Sequence, residues 1–264
     1  MSANKEALGF AKTLATQICD ETPTKDNPFL AEERHISGYN IFDISQKLDY
    51  IETIFLLFKL ELPSSQQKVL LNTLFNFLSN LGPRHPAIRA AMTAGVSKAN
   101  VEHLLPIGLM TLGGENGGAN EVERAYRFIE KINQTSLSEL DDLSSRSALN
   151  NKTPGFGTRF AQVDPIAQRF AEQLLSLTPD TECLKKCQVW LEQINSSNNQ
   201  PKIGWLESGI AAAVFYELRV GAREAAGLFQ LACAPGILAH GVEQTHKPIT
   251  AMPLLEDNQY ELRK

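Results

Sequence analysis

The sequence predicts an all-α protein on three observations. Apolar residues recur at helical spacing almost throughout, capping residues and glycine or proline stops bracket those runs, and no long alternating strand pattern competes. The chain has 264 residues, 43% hydrophobic and 21% charged, which suits one large globular domain, or one with a smaller lobe.

Ser45 to Leu60 reads as a helix that ends before Pro63. Ser64 to Leu81 is the clearest helix, because Val69, Leu70, Leu74, Phe77, Leu78 and Leu81 form an apolar stripe. Ser64 followed by Gln67 makes a capping box, and Gly82-Pro83 supplies the stop. Asn120 to Ile132 has Asn120 as N-cap and Glu123 at the reciprocal position. Its charged face, Glu121, Arg124, Arg127, Glu130 and Lys131, reads as solvated surface. Ser136 with Glu139, and Thr178-Pro179, mark two further helix starts. Asn150 to Gly157 and Asn195 to Lys202 read as loops. From Ser208 to Gln244 the chain is nearly all apolar, interrupted at Gly221 and Pro235, so these helices are expected deep in the core or at a subunit interface. Trp190 and Trp205 read as packing anchors.

Lys plus Arg number 25 against 30 Asp plus Glu, and a net charge of −5 gives no general attraction to nucleic acid or an anionic membrane. The short apolar run Ile54 to Phe58 is followed by Lys59 and Glu61, far below the ~20 residues that span a bilayer, so no membrane helix is expected. Met1 to Glu6 lacks an apolar signal core, and a cytoplasmic location is expected. Cys19, Cys183, Cys187 and Cys233 are too scattered for a disulfide framework. Cys183 and Cys187 lie one helical turn apart without further ligands nearby, so no metal site is expected.

Two glycine-rich segments carry the functional reading. Gly113-Gly114-Glu115-Asn116-Gly117-Gly118-Ala119 joins two helices and permits close backbone approach to a ligand. Pro154-Gly155-Phe156-Gly157 could offer amides to a phosphate, but it lacks the strand and Lys of a nucleotide P-loop. Each alone is equally readable as a tight interhelical turn.

Their order and context resemble the citrate synthase superfamily, more closely its short citryl-CoA lyase branch. The resemblance runs from Ile36 to Gln244, through Ile36-Ser37-Gly38-Tyr39, Glu61-Leu62-Pro63-Ser64 and Gly117-Gly118-Ala119-Asn120-Glu121. It continues in Gly155-Phe156-Gly157, Asp164-Pro165, Pro235-Gly236-Ile237-Leu238-Ala239-His240 and Glu243-Gln244. It implies a citrate synthase-like helical fold, with 1–264 as one unit, a smaller lobe at approximately 120–204 and the remainder as the large lobe. It also implies a homodimer with active sites near the interface, and CoA or an acyl-CoA as ligand, with no permanently bound cofactor.

The likeness breaks at the residues that do the family's chemistry. Family members carry His before the Gly-Gly-Ala turn, where this chain has Asn116, and His after Gly-Phe-Gly, where it has Thr158. The family Asp at the start of the following helix corresponds to Ser208, and two family Arg positions correspond to Ile166 and Cys233. Asn116, Thr158 and Ser208 are therefore expected as pocket positions replacing the family triad. One positioned acid or base typically supplies ~100- to 10,000-fold, so these losses remove the standard reaction unless other groups substitute. The candidates are His85, near where the short branch places a His, and Glu207, which reaches the same proton only if the helix start shifts and is otherwise a favourable first-turn charge. Gly155, Phe156, Gly157 and Arg159 are the candidate CoA or substrate contacts, although a lone loop Arg is also readable as solvated. His240 reads as a hydrogen-bonded core residue.

The expectation is a protein that binds a CoA thioester, with the standard carbon–carbon condensation or cleavage lost or rerouted. Two alternatives stand beside it: a non-catalytic dimeric scaffold or regulatory subunit, and an active lyase or synthase on an unusual acyl-CoA using His85 and Glu207.

Overall fold

Local helix signals dominate the computed structural model, which describes residues 16–136, 153–196, 201–253, 255–256, 259 and 261. Among the described residues there are ten α-helices and five short strands, so the protein is all-α in class. The chain divides into two units, Met1–Lys68 and Val69–Lys264.

The first unit opens with the strands that the sequence reading lacked. β1 (Cys19–Pro23) pairs antiparallel with β2 (Ala31–Ile36), which pairs with β3 (Tyr39–Asn40). Most of these residues are exposed and polar, so no buried face imposes the apolar alternation by which a strand is recognised. Turn chemistry holds the ladder instead. Thr24 Oγ1 and Asn27 exchange bonds of 2.9 and 3.2 Å, and Ser37 and Gly38 both take positive φ, 48° and 84°, as a two-residue hairpin requires.

The helix expected over Ser45 to Leu60 is two helices, α1 (Ile41–Lys47) and α2 (Tyr50–Lys59). Asp49 explains the break. Its side chain accepts the Glu52 N–H at 2.9 Å while the Glu52 carboxylate accepts the Asp49 N–H at 2.9 Å, a complete capping box that starts α2 afresh. α3 (Ser65–Leu78) begins as the sequence predicts, with Ser64 and Gln67 exchanging the reciprocal bonds. Its buried face is Leu70, Leu71, Leu74, Phe75 and Leu78, whereas Val69, expected in the stripe, is 46% exposed.

In the second unit follow α4 (Pro86–Val96), α5 (Val101–Leu112), α6 (Ala119–Gln134), α7 (Pro165–Leu177), α8 (Glu182–Ser196), α9 (Glu207–Glu217) and α10 (Ala222–Thr245). β4 (Phe156–Gly157) pairs antiparallel with β5 (Gly204–Trp205). α10 packs on α4, α5 and α6, and α9 lies against α6 and α8. Trp190 and Trp205 are fully buried as anchors, both against Phe156, with ring centroids 4.8 and 4.7 Å away.

Three local expectations are corrected here. α6 starts at Ala119 behind Gly118 with no side-chain cap; Asn120 is not the N-cap, and Glu123 pairs instead with Arg127 at 2.7 Å. Thr178 caps the C-terminus of α7 and its hydroxyl donates to the Leu174 carbonyl at 2.7 Å, because a free carbonyl at a helix end is a nearer partner than a helix not yet begun. Pro235 does not interrupt α10. It sits on an exposed part of the helix, where Leu231, one turn earlier, is 37% exposed. The Ser136–Glu139 capping pattern extends beyond the described residues, as do parts of the loops at Asn150 to Gly157 and Asn195 to Lys202.

By length and composition α10 is able to cross a membrane, whereas the sequence analysis expects no membrane helix. Within the fold 44% of its most apolar window is buried, where it packs on α4, α5 and α6. Glycines allow its neighbours to approach: a Cβ on Gly95 would collide with the Gly241 carbonyl, and one on Gly108 with Ile237.

Gly95→Ala is expected to destabilise the protein by ~1–3 kcal/mol through overpacking, although alanine is the better helix former by ~1 kcal/mol. Gly227→Ala, on α10 with nothing within 4 Å of the added carbon, should instead gain up to ~1 kcal/mol. Urea unfolding of the two variants checks the opposite signs.

Candidate functional site

Four of the residues singled out in the sequence meet at one cavity of about 310 Å³ in the second unit: His85, Asn116, Thr158 and Arg159. They come from three separate segments of chain. Gly82, at φ 81°, turns the backbone after α3 and delivers His85 as the N-cap of α4. The His85 ring is buried, and its Nδ1 accepts the Ala87 N–H at 3.2 Å. That bond assigns the ring proton to Nε2, which lies 3.2 Å from the Gly117 carbonyl and donates to it. Burial pushes the His85 pKa below its ordinary value; the bond to Gly117 opposes this, and the Arg159 charge adds to it. His85 is therefore a neutral, fixed donor.

Asn116 and Gly117 lie in the turn between α5 and α6, where Gly117 takes φ 70°. Thr158 and Arg159 follow β4. Arg159 and Gln162 exchange backbone bonds of 2.7 and 3.0 Å around Phe160 and Ala161, whose φ values of 50° and 62° make a tight hairpin without glycine. Phe160 at its tip is 92% exposed and lines the cavity.

Arg159 is not a solvated loop charge. Its guanidinium pairs with the Glu207 carboxylate and lies 3.4 Å from Asp164, the N-cap of α7. Glu207, the first residue of α9, is 9% exposed. Burial raises its pKa, Arg159 pulls it back down, and Asp164 raises it again. Burial pushes the Cys233 thiol up, and the Glu207 charge adds to it.

The other candidates lie off the cavity surface. Ser208 is 1% exposed, and its hydroxyl has no partner among the described residues. Ile166 is 67% exposed and outside the lining, while Cys233 is buried in α10. Gly155, Phe156 and Gly157 support the Thr158 segment without facing the cavity. His240 is half-exposed rather than buried and meets Asn80 Oδ1 at 3.2 Å.

The sequence reading missed Glu121, which it assigned to the solvated face of α6. Its carboxylate lines the cavity and accepts the Gly117 N–H at 2.6 Å. The signal available was a carboxylate in the first helical turn, four residues after a glycine whose N–H has no helical partner.

No family model and no curated protein matches the sequence. Solved structures do match. The citryl-CoA lyase from Hydrogenobacter thermophilus is 22% identical over 95% of this chain and 94% of its own, with a TM-score of 0.79. The chain has the helical fold of the citrate synthase superfamily. The ATP citrate lyase from Methanothrix soehngenii, solved with citrate and coenzyme A, is 16% identical over 97% of this chain and 44% of its own, with a TM-score of 0.74. Citrate synthase from Thermotoga maritima is 20% identical over 82% of this chain and 59% of its own, with a TM-score of 0.63. The citrate synthase-type fold is thus shared with a lyase of nearly the same length, whereas this chain spans less than half of the ATP citrate lyase.

A neutral, buried His85 gives a pH signature with a defined sign. The unfolded chain takes a proton on this His near pH ~6.5, the folded chain resists it, and stability therefore falls as pH drops through that value. His85→Asn, which keeps a capping side chain, should lose less melting temperature than the parent between pH ~7.5 and ~5.5. Thermal unfolding of both proteins across that range measures the difference.

Proposed function

We propose that the cavity binds the acyl end of a CoA thioester and that the carbon–carbon chemistry of the fold family is lost or rerouted in this protein. The observation that carries the reading is the convergence of His85, Asn116, Thr158 and Arg159 on one cavity of about 310 Å³, at the small end of the ~300–1,000 Å³ typical of ligand sites. The structural neighbour solved with citrate and coenzyme A supports the ligand class. An ATP citrate lyase solved with (3S)-citryl-CoA, 18% identical with a TM-score of 0.72, supports it too.

Asn116 and Thr158 offer an amide and a hydroxyl, which hydrogen-bond a thioester oxygen without taking up its protons. Arg159 offers a guanidinium to an anionic group, in competition with Glu207. A second reading, an active lyase or synthase on an unusual acyl-CoA, is favoured by one observation: burial raises the Glu207 pKa towards the range useful to a general acid or base. In that reading Glu207 must leave Arg159 before it acts.

A homodimer in a reducing, cytoplasmic setting belongs to the same proposal. Leu231 and Leu238, seven residues apart on α10, are each 37% exposed, and all four cysteines are free thiols. The same exposed pair would serve a non-catalytic scaffold equally well.

Calorimetry with CoA, acetyl-CoA and a panel of acyl-CoAs tests the proposal. Micromolar binding is expected, weakened about tenfold or more in the double variant Arg159→Gln/Glu207→Gln, which removes the guanidinium without stranding a buried carboxylate. Absence of binding at millimolar ligand overturns it in favour of the scaffold. Turnover of any acyl-CoA that is lost in Glu207→Gln favours the active enzyme.

A further inference from the structure

We infer that Glu121 is the positioning residue of the cavity, holding its two glycine-turn segments in register and placing the Gly117 carbonyl against His85 Nε2. It rests on the reading above only for the identity of the ligand. One Glu121 oxygen accepts the Gly117 N–H at 2.6 Å, and the other lies 3.4 Å from the Gly155 nitrogen and accepts its N–H. One carboxylate thus spans two segments 38 residues apart, the first carrying Asn116 and the second leading to Thr158 and Arg159.

Each glycine passes the constraint on. Gly117 donates its N–H to Glu121, and its carbonyl accepts from His85 Nε2, so both of its polar groups are committed. Gly155 donates to Glu121, and its carbonyl accepts the Leu206 N–H at 3.0 Å, one residue before Glu207. Both glycines stand at positive φ, 70° and 81°, where no other residue holds the same turn without strain. A first-turn carboxylate that served only the helix dipole would make neither bond.

Glu121→Ala removes both bonds. Glu121→Gln retains one carbonyl oxygen, which keeps the shorter contact to Gly117 and turns an NH₂ towards Gly155. Two ligand-free readouts follow, amide hydrogen exchange and the ¹⁵N shifts of the His85 ring. In Glu121→Ala the Gly117 and Gly155 amides should exchange about tenfold faster or more, while Leu104 and Ile237 in the core do not change, and the His85 Nε2 shift should move as its bond to the Gly117 carbonyl loosens, with the Nε2–H tautomer kept by the Ala87 N–H. In Glu121→Gln only Gly155 should accelerate, with the His85 pattern retained. Unchanged glycine exchange and unchanged His85 shifts overturn the inference, as does equal acceleration at Leu104 and Ile237. If Glu121→Ala does not fold, the Gln variant decides: selective acceleration at Gly155 supports the inference, and no selectivity overturns it. Acetyl-CoA affinity is read in parallel. Failure of the parent to bind removes the thioester reading and leaves the exchange result to judge Glu121 alone.

Discussion

The backbone contact between Gly155 and Gly209 governs how closely the segments around the cavity can approach. A Cβ on either residue would collide with the backbone of the other, so any side chain larger than hydrogen pushes α9 away from the turn before β4. At this separation the start of α9 lies beside the chain that leaves β4, and Glu207 meets Arg159. The β4–β5 pairing, with Phe156 opposite Trp205, sets the same spacing from the other side. Beneath it Phe156, Trp190 and Trp205 form a buried aromatic cluster, so the hairpin carrying Arg159 stands on a rigid base.

That spacing decides the electrostatics. A carboxylate as buried as Glu207 keeps its charge only beside a compensating group. Arg159 is that group, held in turn by Asp164. The resemblance to the citrate synthase family places an arginine at Cys233, and here a thiol raised by burial stands in its place and brings no charge. The guanidinium that would otherwise be free for a ligand carboxylate is thus partly occupied by the protein's own acids. Ligand affinity at Arg159 is the difference between the new pair and the one it displaces.

What was legible in the sequence follows the range of the interaction. Ser64 with Gln67 is a local exchange that needs no knowledge of the fold, and the left-handed turns at Gly82, Gly117 and Gly155 fall where glycines stand. Asp49 with Glu52 obeys the same local rule but is masked, because Ile44, Leu48, Ile51 and Phe55 keep helical spacing across it. The β1–β2 ladder was illegible for a physical reason: its residues are mostly exposed, and nothing forces alternation on them. Within the site, His85, Asn116, Thr158 and Arg159 could be named from motifs, but Arg159 with Glu207 joins residues 48 apart, and Glu121 with Gly155 residues 34 apart. Such pairs depend on the approach of Gly155 to Gly209, which no single segment encodes.

Whether the proposed site could do acid–base chemistry turns on free lone pairs. A general base needs an unoccupied acceptor facing the proton it removes. His85 has none, because Nδ1 accepts from Ala87 and Nε2 carries the proton given to Gly117; to act as a base it must abandon the N-cap of α4. Glu207 has lone pairs, but Arg159 engages its Oε2, and losing that pair would leave burial less opposed in raising the carboxyl pKa. In the resting structure both candidate bases are thus engaged, His85 by Ala87 and Gly117 and Glu207 by Arg159, whereas Asn116 and Thr158 line the cavity. On the proposed reading, a reaction through His85 or Glu207 would begin with one of these contacts breaking.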